Sequence, residues 1–426
     1  MLCRLTFGDA PVTGDNLMDA EPARVTFGTV LKTGEFRALW LAELLSTLGD
    51  QVARVALAVL VFNTTDSAVL TGLTFALTYV PTLLGGIFLA GLGDRFPRRE
   101  VMVAANVVQA VLVAAMAVPN VPLPVLCLLL AVSVLATGPF NAAQLAILPD
   151  LLSGQRYVTA MSLRNVTTYS AQLAGFAGGG LLIAVLNPYL GLAIDALTFV
   201  VSALLLWTGL RPRPAVRSEE HAEPTSILHG FTVIWRDPRT RILLGIGALA
   251  LFYIAPEALG APYAEQLGMG PTAVGLLMAA DPIGAVVGSL LFDRLSEVAR
   301  LRSVGWLGVA AGAPIAACAL YPNLVLSMAL FACSGAAATI YTIQAMTTAS
   351  RLLPNSVRAQ GMGFASAVIQ SVQGVGALVA GAFAQVFTPA GGMAVVGCVG
   401  VVLAAGLALA WRRVANPAQL AVQLTG

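Results

Sequence analysis

The chain has 426 residues, 58% of them hydrophobic and only 10% charged, with a net charge of +2. A soluble domain carries about 25% charged residues, so this composition and a mean hydropathy of +0.84 exclude a water-soluble globular protein. The apolar runs do not alternate apolar with polar residues, which excludes outer-membrane barrel strands as well.

Residues 1–37 mix Asp9, Asp15, Asp19 and Glu21 with Arg4, Arg24 and Lys32. They lack the apolar core of a secretory signal and read as a cytoplasmic tail, disordered to about Phe27. Twelve apolar runs follow, at about 38–62, 69–92, 101–118, 123–148, 158–186, 188–210, 240–264, 271–293, 303–320, 323–349, 357–388 and 390–411. Each is long enough, or nearly so, to cross a bilayer as a helix. The expected fold is therefore an all-α membrane protein of twelve transmembrane helices. The long polar segment 211–239 holds Arg211-Pro-Arg-Pro, Glu219, Glu220, Glu223 and Arg236-Asp-Pro-Arg-Thr-Arg241. It separates a first group of six spans, 38–210, from a second, 240–413, with 414–426 as a C-terminal tail.

Charge placement orients the spans. Arginines cluster before the first run and after every second one, whereas the alternate connections carry no basic residue. Basic loops remain cytoplasmic, so both termini are expected there. The use of arginine with a single lysine, Lys32, beside abundant Ala, Gly and Val, points to a bacterial inner membrane protein. Cys3, Cys127, Cys318, Cys333 and Cys398 show no paired spacing and imply neither a disulfide framework nor a metal site.

The second group echoes the first. Asp94-Arg95 recurs as Asp293-Arg294, Leu148-Pro149-Asp150 as Leu353-Pro354-Asn355, Gly72-Leu73 as Gly275-Leu276, and Gln172 through Gly175 as Gln373-Gly374. The offset stays near 200 residues at all four places, which argues for two homologous six-helix halves with a substrate site between them at mid-membrane.

Charged side chains at mid-bilayer cost at least about 2.5–3.5 kcal/mol each on insertion scales and therefore face a cavity or a partner. Span one carries Glu43, Asp50 and Arg54 on one helical stripe. Asp50 and Arg54, four residues apart, can pair directly. They form either a carboxylate whose protonation is coupled to substrate release, with Arg54 as counter-charge, or a permanent structural bridge. Glu43 lies nearer the cytoplasmic end and reads as a solvated mouth residue. Glu257 is in the outer part of span seven, where cavity and exposed-mouth positions are both open to it. Asp281 is near the middle of span eight, directly before Pro282, whose missing N–H weakens the helix there. A carboxylate beside a broken helix suits a coupling ion, so the proton is the expected coupling ion and no further cofactor is expected. Arg164 in span five either faces the cavity or snorkels to the interface, the second being favoured.

Uncharged cavity candidates are Asn141, Gln144, Tyr169, Gln172, Tyr253, Tyr341, Gln344 and Gln373, with Tyr79, Phe252 and Gln370 beside them. As a set they suit a broad amphipathic small molecule. The chain has no Ser/His/Asp constellation, no His-rich metal cluster and no G-x-x-x-x-G-K-[ST] nucleotide loop. His221 and His229 are the only histidines and both fall in the polar segment. An enzyme is thus not expected, nor is a nucleic-acid partner.

The connection Gly91-Leu-Gly-Asp-Arg-Phe-Pro-Arg-Arg-Glu100 resembles the loop between helices two and three of the major facilitator superfamily of transporters, G-x-L-A-D-R-x-G-R-R. Ala90, Gly93 and Pro97 depart from that pattern, while Asp94, Arg95, Arg98 and Arg99 match it. Gly49-Asp-Gln-Val-Ala-Arg54, Thr65 to Gly72 and Leu148-Pro-Asp150 resemble a bacterial branch containing siderophore and multidrug exporters. The resemblance covers 36–413 and implies two pseudo-symmetric six-helix halves, alternating access and a monomer. It implies export of a lipophilic drug-like or siderophore-like compound, most simply driven by protons. An importer, symporter or uniporter of a metabolite is the alternative. It further implies that Asp94 latches onto the start of span eleven near Val357, with Arg95, Arg98 and Arg99, and Asp293 and Arg294 as the second copy. By the same analogy span six is peripheral, so Asp195 is expected to make a structural hydrogen bond. Span four lacks the buried arginine of many proton-coupled members. Span five has Gly175-Phe176 where drug antiporters place Gly-Pro.

Overall fold

The computed structural model describes residues 26–88, 96–213, 227–354 and 357–414, and every regular element among them is helical. A short helix, Phe27–Leu31, precedes span one, Gly34–Thr65. Spans two to six are Ala68–Phe88, Arg98–Met116, Leu123–Leu151, Gln155–Val185 and Pro188–Gly209. A linker helix, Ile227–Arg236, leads to span seven at 238–266. Spans eight to twelve are Pro271–Arg294, Glu297–Ala317, Leu324–Leu352, Arg358–Val386 and Pro389–Val414. Among the described residues ten of these are long and apolar enough to cross a bilayer unaided. Span two, described to Phe88, and span nine, which opens with Glu297, Arg300 and Arg302, complete the twelve.

Local chemistry sets the span starts. Proline stands at the first helical position of spans six, eight and twelve, where its missing N–H costs nothing. Asn187 caps span six through Leu190 N at 2.8 Å, and Asn323 caps span ten through Val325 N and Leu326 N.

Interior prolines behave unequally. Span eight runs unbroken through Pro282, so the break expected beside Asp281 is absent. The discontinuity falls in span seven, expected as one helix over 240–264. There the helix divides into Pro238–Ala248, Ala250–Tyr253, Ala255–Ala258 and Gly260–Gln266. Pro256 and Pro262 lie in the last two pieces, each removing a backbone donor. Span four bends around Ala136, where Leu123–Leu135 gives way to Thr137–Leu151.

The halves meet through glycine, and the meeting repeats with the sequence. A Cβ on Gly72 of span two would sit 2.5 Å from the Ala377 carbonyl oxygen and 3.4 Å from Gly381 Cα of span eleven. A Cβ on Gly275 of span eight would run into the Phe176 carbonyl oxygen and lie 2.7 Å from Gly180 Cα of span five. Each contact residue in one pair has its counterpart in the other about 200 positions away. Such backbone-to-backbone approach is open only to small residues.

These contacts lie toward the bundle face opposite the arginine-rich ends. There the Gln385 side chain also accepts from Ala68 N at 2.9 Å, across the halves. At the arginine-bearing ends the same two helices turn to their own halves, Gly85 against Leu135 and Gly361 against Leu353. The bundle is thus pinned at one face and parted at the other. All five tryptophans, Trp40, Trp207, Trp235, Trp306 and Trp411, belong to the arginine-bearing side. Arg99, Arg241 and Arg412 lie over the rings of Trp207, Trp235 and Trp306 at 4.3, 6.0 and 5.3 Å, and the Trp411 indole donates to the Leu301 carbonyl at 2.8 Å.

Candidate functional site

A cavity of about 450 Å³ occupies the middle of the bundle. It draws residues from both halves: Asp50 and Arg54 of span one, Tyr79 of span two, Asp195 of span six, Glu257 of span seven and Asp281 of span eight. Asn141, Gln172, Gln370 and Gln373 supply neutral polar groups at its wall.

Its centre is an ion pair that crosses the halves. Arg54 Nη1 donates to Glu257 Oε1 at 3.2 Å and to the Tyr79 hydroxyl at 3.4 Å. The Tyr79 hydroxyl in turn donates to Glu257 Oε2 at 3.5 Å, and the guanidinium carbon lies 5.3 Å from the Tyr79 ring centroid. The two charged side chains are 24% and 16% exposed, so they retain limited contact with cavity water. The broken stretch of span seven carries Glu257 to this point. The direct Asp50–Arg54 pair expected from their spacing does not form. Arg54 faces span seven because Glu257 supplies a carboxylate there, with the Tyr79 hydroxyl of span two bridging the two.

Asp50 is exposed into the cavity. Its neighbour Gly49 has no room for a side chain, since a Cβ would overlap Thr198 and the Asp195 carboxylate. That contact brings span six against span one and places the buried Asp195 within electrostatic reach of Asp50. Asp195 does accept a hydrogen bond from Thr198 Oγ1 at 3.3 Å, as expected. Span six, expected from the resemblance to be peripheral, instead brings Asp195 and Phe199 to the cavity wall. The signal was present in Gly49, whose lack of a side chain permits the approach. Asp281 backs onto Gly335 of span ten, where a Cβ would come within 2.7 Å of its Oδ1, and it lies within electrostatic reach of Glu257.

Other candidates are dispersed. Asn141, Gln172 and Gln373 line the cavity. Gln144 is buried with its Oε1 accepting from Arg164 Nη2 at 2.9 Å. Tyr253 donates to the Gly308 carbonyl at 2.6 Å, Tyr341 is buried edge-on against it at 6.2 Å, and Gln344 donates to Thr348 at 2.9 Å. These four pack between helices of their own halves rather than lining the cavity. Tyr169 is partly buried and stands outside the lining.

Glu43 is not a solvated mouth residue, and Arg164 does not snorkel. Arg164 Nε and Nη2 each donate to the Glu43 carboxylate at 2.7 Å, a forked pair whose side chains are only 12% and 17% exposed. With Gln144 as third member, this network ties span one to spans four and five.

Asp94 and Arg95 of the loop motif, and the side chain of Asp293, lie outside the described residues. Arg98 and Arg99 do not reach the second half. Arg98 donates to Asp150 Oδ2 at 2.6 Å and to the Ala146 carbonyl at 2.7 Å, and Arg99 sits over Trp207. The second half has its own counterpart, in which Arg351 donates to Glu297 at 2.6 Å. Arg294 is exposed. With the arginine-bearing ends parted, Arg98 and Arg351 each find a carboxylate within their own half.

Comparison with known proteins agrees with this architecture. The family model for the Major Facilitator Superfamily matches residues 39–263 and again 252–423. The enterobactin exporter EntS of Shigella boydii serotype 4 (strain Sb227) is 27% identical over 378 residues, covering 85% of this chain and 88% of that protein. The enterobactin exporter EntS of Escherichia coli O1:K1 / APEC matches over the same extent. The crystal structure of the nucleoside transporter NupG superimposes with a TM-score of 0.71 at 14% identity, covering 89% of this chain and 98% of that one. A bacterial homologue of the human lysosomal transporter Spinster, inward-facing and occupied, gives 0.66 at 17% identity over 92% and 94%. The chain belongs to the Major Facilitator Superfamily: it is a multi-pass membrane transporter of small molecules and not an enzyme.

Proposed function

We propose that the chain is a proton-coupled exporter that moves a lipophilic drug-like or siderophore-like small molecule outward by alternating access. The observation that carries the coupling is the Arg54–Glu257 pair, which joins the two halves inside the cavity. A proton on Glu257 removes the charge that holds Arg54. The contact between spans one and seven then weakens at the place where a substrate would bind. Asp50 and Asp281 serve the same cycle as further carboxylates in the cavity, and Asn141, Gln172 and Gln373 contribute hydrogen bonds to the cargo. Kinship to an enterobactin exporter over 85% of the chain supports the outward direction. On this reading the arginine-bearing ends face the cytoplasm of a bacterial cell, both termini lie there, and the protein acts as a monomer.

Substrate-driven proton movement in proteoliposomes tests the proposal. Lipophilic cations, antibiotics and siderophores are added to wild type, Glu257→Gln and Asp50→Asn, with a pH dye inside the vesicles. Wild type should show a pH change with at least one compound, and Glu257→Gln should reduce it at least tenfold while the protein still folds. Compound flux without any pH change in wild type would refute proton coupling. Compound accumulation in expressing cells, rather than depletion, would refute export.

A further inference from the structure

A second concavity, of about 690 Å³, opens at the arginine-bearing ends of spans one, three and six. Its charged groups are Arg99, Arg211, Arg213, Glu35 and Asp150. Both acids are already engaged. Glu35 accepts from Arg213 Nη2 at 2.7 Å and lies 3.3 Å from Arg211 Nε, while Asp150 accepts from Arg98. Arg99 meets no carboxylate within ion-pair distance among the described residues, and its guanidinium carbon lies 4.3 Å from the Trp207 ring centroid.

Two donors are stranded here. Arg99 Nε and Arg213 Nη1 are each shut away from solvent without an acceptor. A buried charged donor left unpaired is costly, and nearly all such groups in folded proteins find a partner. Those two atoms have no accessible surface of their own, but both guanidinium groups line the concavity, so an anion carrying several oxygens that enters it meets two cations at once. The planar fork of arginine suits phosphate in particular.

The surroundings favour a lipid phosphate over a dissolved one. Trp207 is exposed and continues a stripe on span six formed by Leu197, Val200 and Leu204, all exposed and spaced at helical intervals. That stripe runs from mid-bilayer to the concavity, so an acyl chain lying on it would deliver its headgroup to Arg99 and Arg213. Tryptophan is enriched at this depth of a membrane, and basic pockets between spanning helices bind anionic headgroups. We infer that the concavity is a binding site for an anionic phospholipid, its phosphate held between Arg99 and Arg213 and an acyl chain laid along span six.

Native mass spectrometry of the full chain tests this. Delipidated protein is incubated with phosphatidylglycerol, phosphatidylcholine or inorganic phosphate. Wild type should retain one phosphatidylglycerol at a concentration at least tenfold below that needed for phosphatidylcholine. The double variant Arg99→Gln with Arg213→Gln should lose that preference, and Arg99→Gln alone serves if the double variant fails to accumulate. Equal retention of the two lipids by wild type would overturn the proposal, and so would an unchanged preference in the variant. Inorganic phosphate that displaces phosphatidylglycerol mole for mole would show a soluble-anion site and overturn the lipid assignment.

Discussion

At the scale of single residues, the decisive feature is which partner each membrane-embedded charge selects. Glu43 receives two forked hydrogen bonds from Arg164, each of a kind worth about 1.5–3 kcal/mol. Glu43→Gln should therefore lower stability by about 2 kcal/mol, seen as a reduced unfolding temperature in detergent. The exchange Glu43→Arg with Arg164→Glu should recover most of that loss, because spans one and five regain an opposite-charge pair. No recovery would mean that burial, not pairing, governs the site. Sequence placed Glu43, Asp50 and Arg54 on one helical stripe, and all three face the bundle interior, including Glu43, which had read as a solvated mouth residue. Partner choice was not legible, because it depends on which helices approach that stripe at each depth. Arg54 found Glu257 some 200 residues away, and no spacing rule within span one could show it.

Among the elements, small residues and prolines decide how helices meet. A side chain on Gly180 would enter the backbone of span eight, 2.7 Å from Gly275 Cα and 2.8 Å from the Pro271 carbonyl oxygen. Gly180→Val should wedge spans five and eight apart at the face away from the arginines and cut transport at least tenfold in flux assays, without preventing membrane insertion. Gly178→Val, where a Cβ meets nothing within 4 Å, should transport normally and serves as the control. The repeat offset made Gly72 and Gly275 visible as a pair before any geometry was known, whereas Gly180 emerged only as the contact of Gly275. The prolines were harder to read. Pro282 and Pro256 look alike in sequence, yet only span seven divides. Its two interior prolines, six residues apart, account for the interruptions at Ile254 and Leu259, whereas span eight has one interior proline.

For the whole molecule, the pinned and parted faces define one state of a cycle. The same two-fold arrangement that closes one side with glycine contacts has an equivalent in which the other side closes. Thr82 lines the cavity toward the arginine-bearing side of span two. In the described state, Thr82→Cys should react with a membrane-impermeant maleimide supplied from that side. Gly72→Ser followed by the same labelling should slow the reaction, because a side chain at Gly72 disfavours the contact with Ala377 on which this state depends. Identical labelling in both backgrounds would show that the glycine contact does not set the resting state. Twelve spans, two halves and the sidedness of the arginines were all readable from hydropathy and charge, since a bilayer imposes both on the chain directly. The cavity wall was readable only in part, because facing the interior and facing the cavity carry the same polarity signature.

The one-sided distribution of tryptophan has a practical consequence for spectroscopy. All intrinsic indole emission arises from rings held at the arginine-bearing end. The unlabelled chain is therefore its own optical gauge of sidedness: a collisional quencher confined to one leaflet of a vesicle dims the signal in proportion to the fraction of molecules whose arginine-bearing end lies in that leaflet. Insertion direction in a reconstituted sample can be read in this way before any cargo is known.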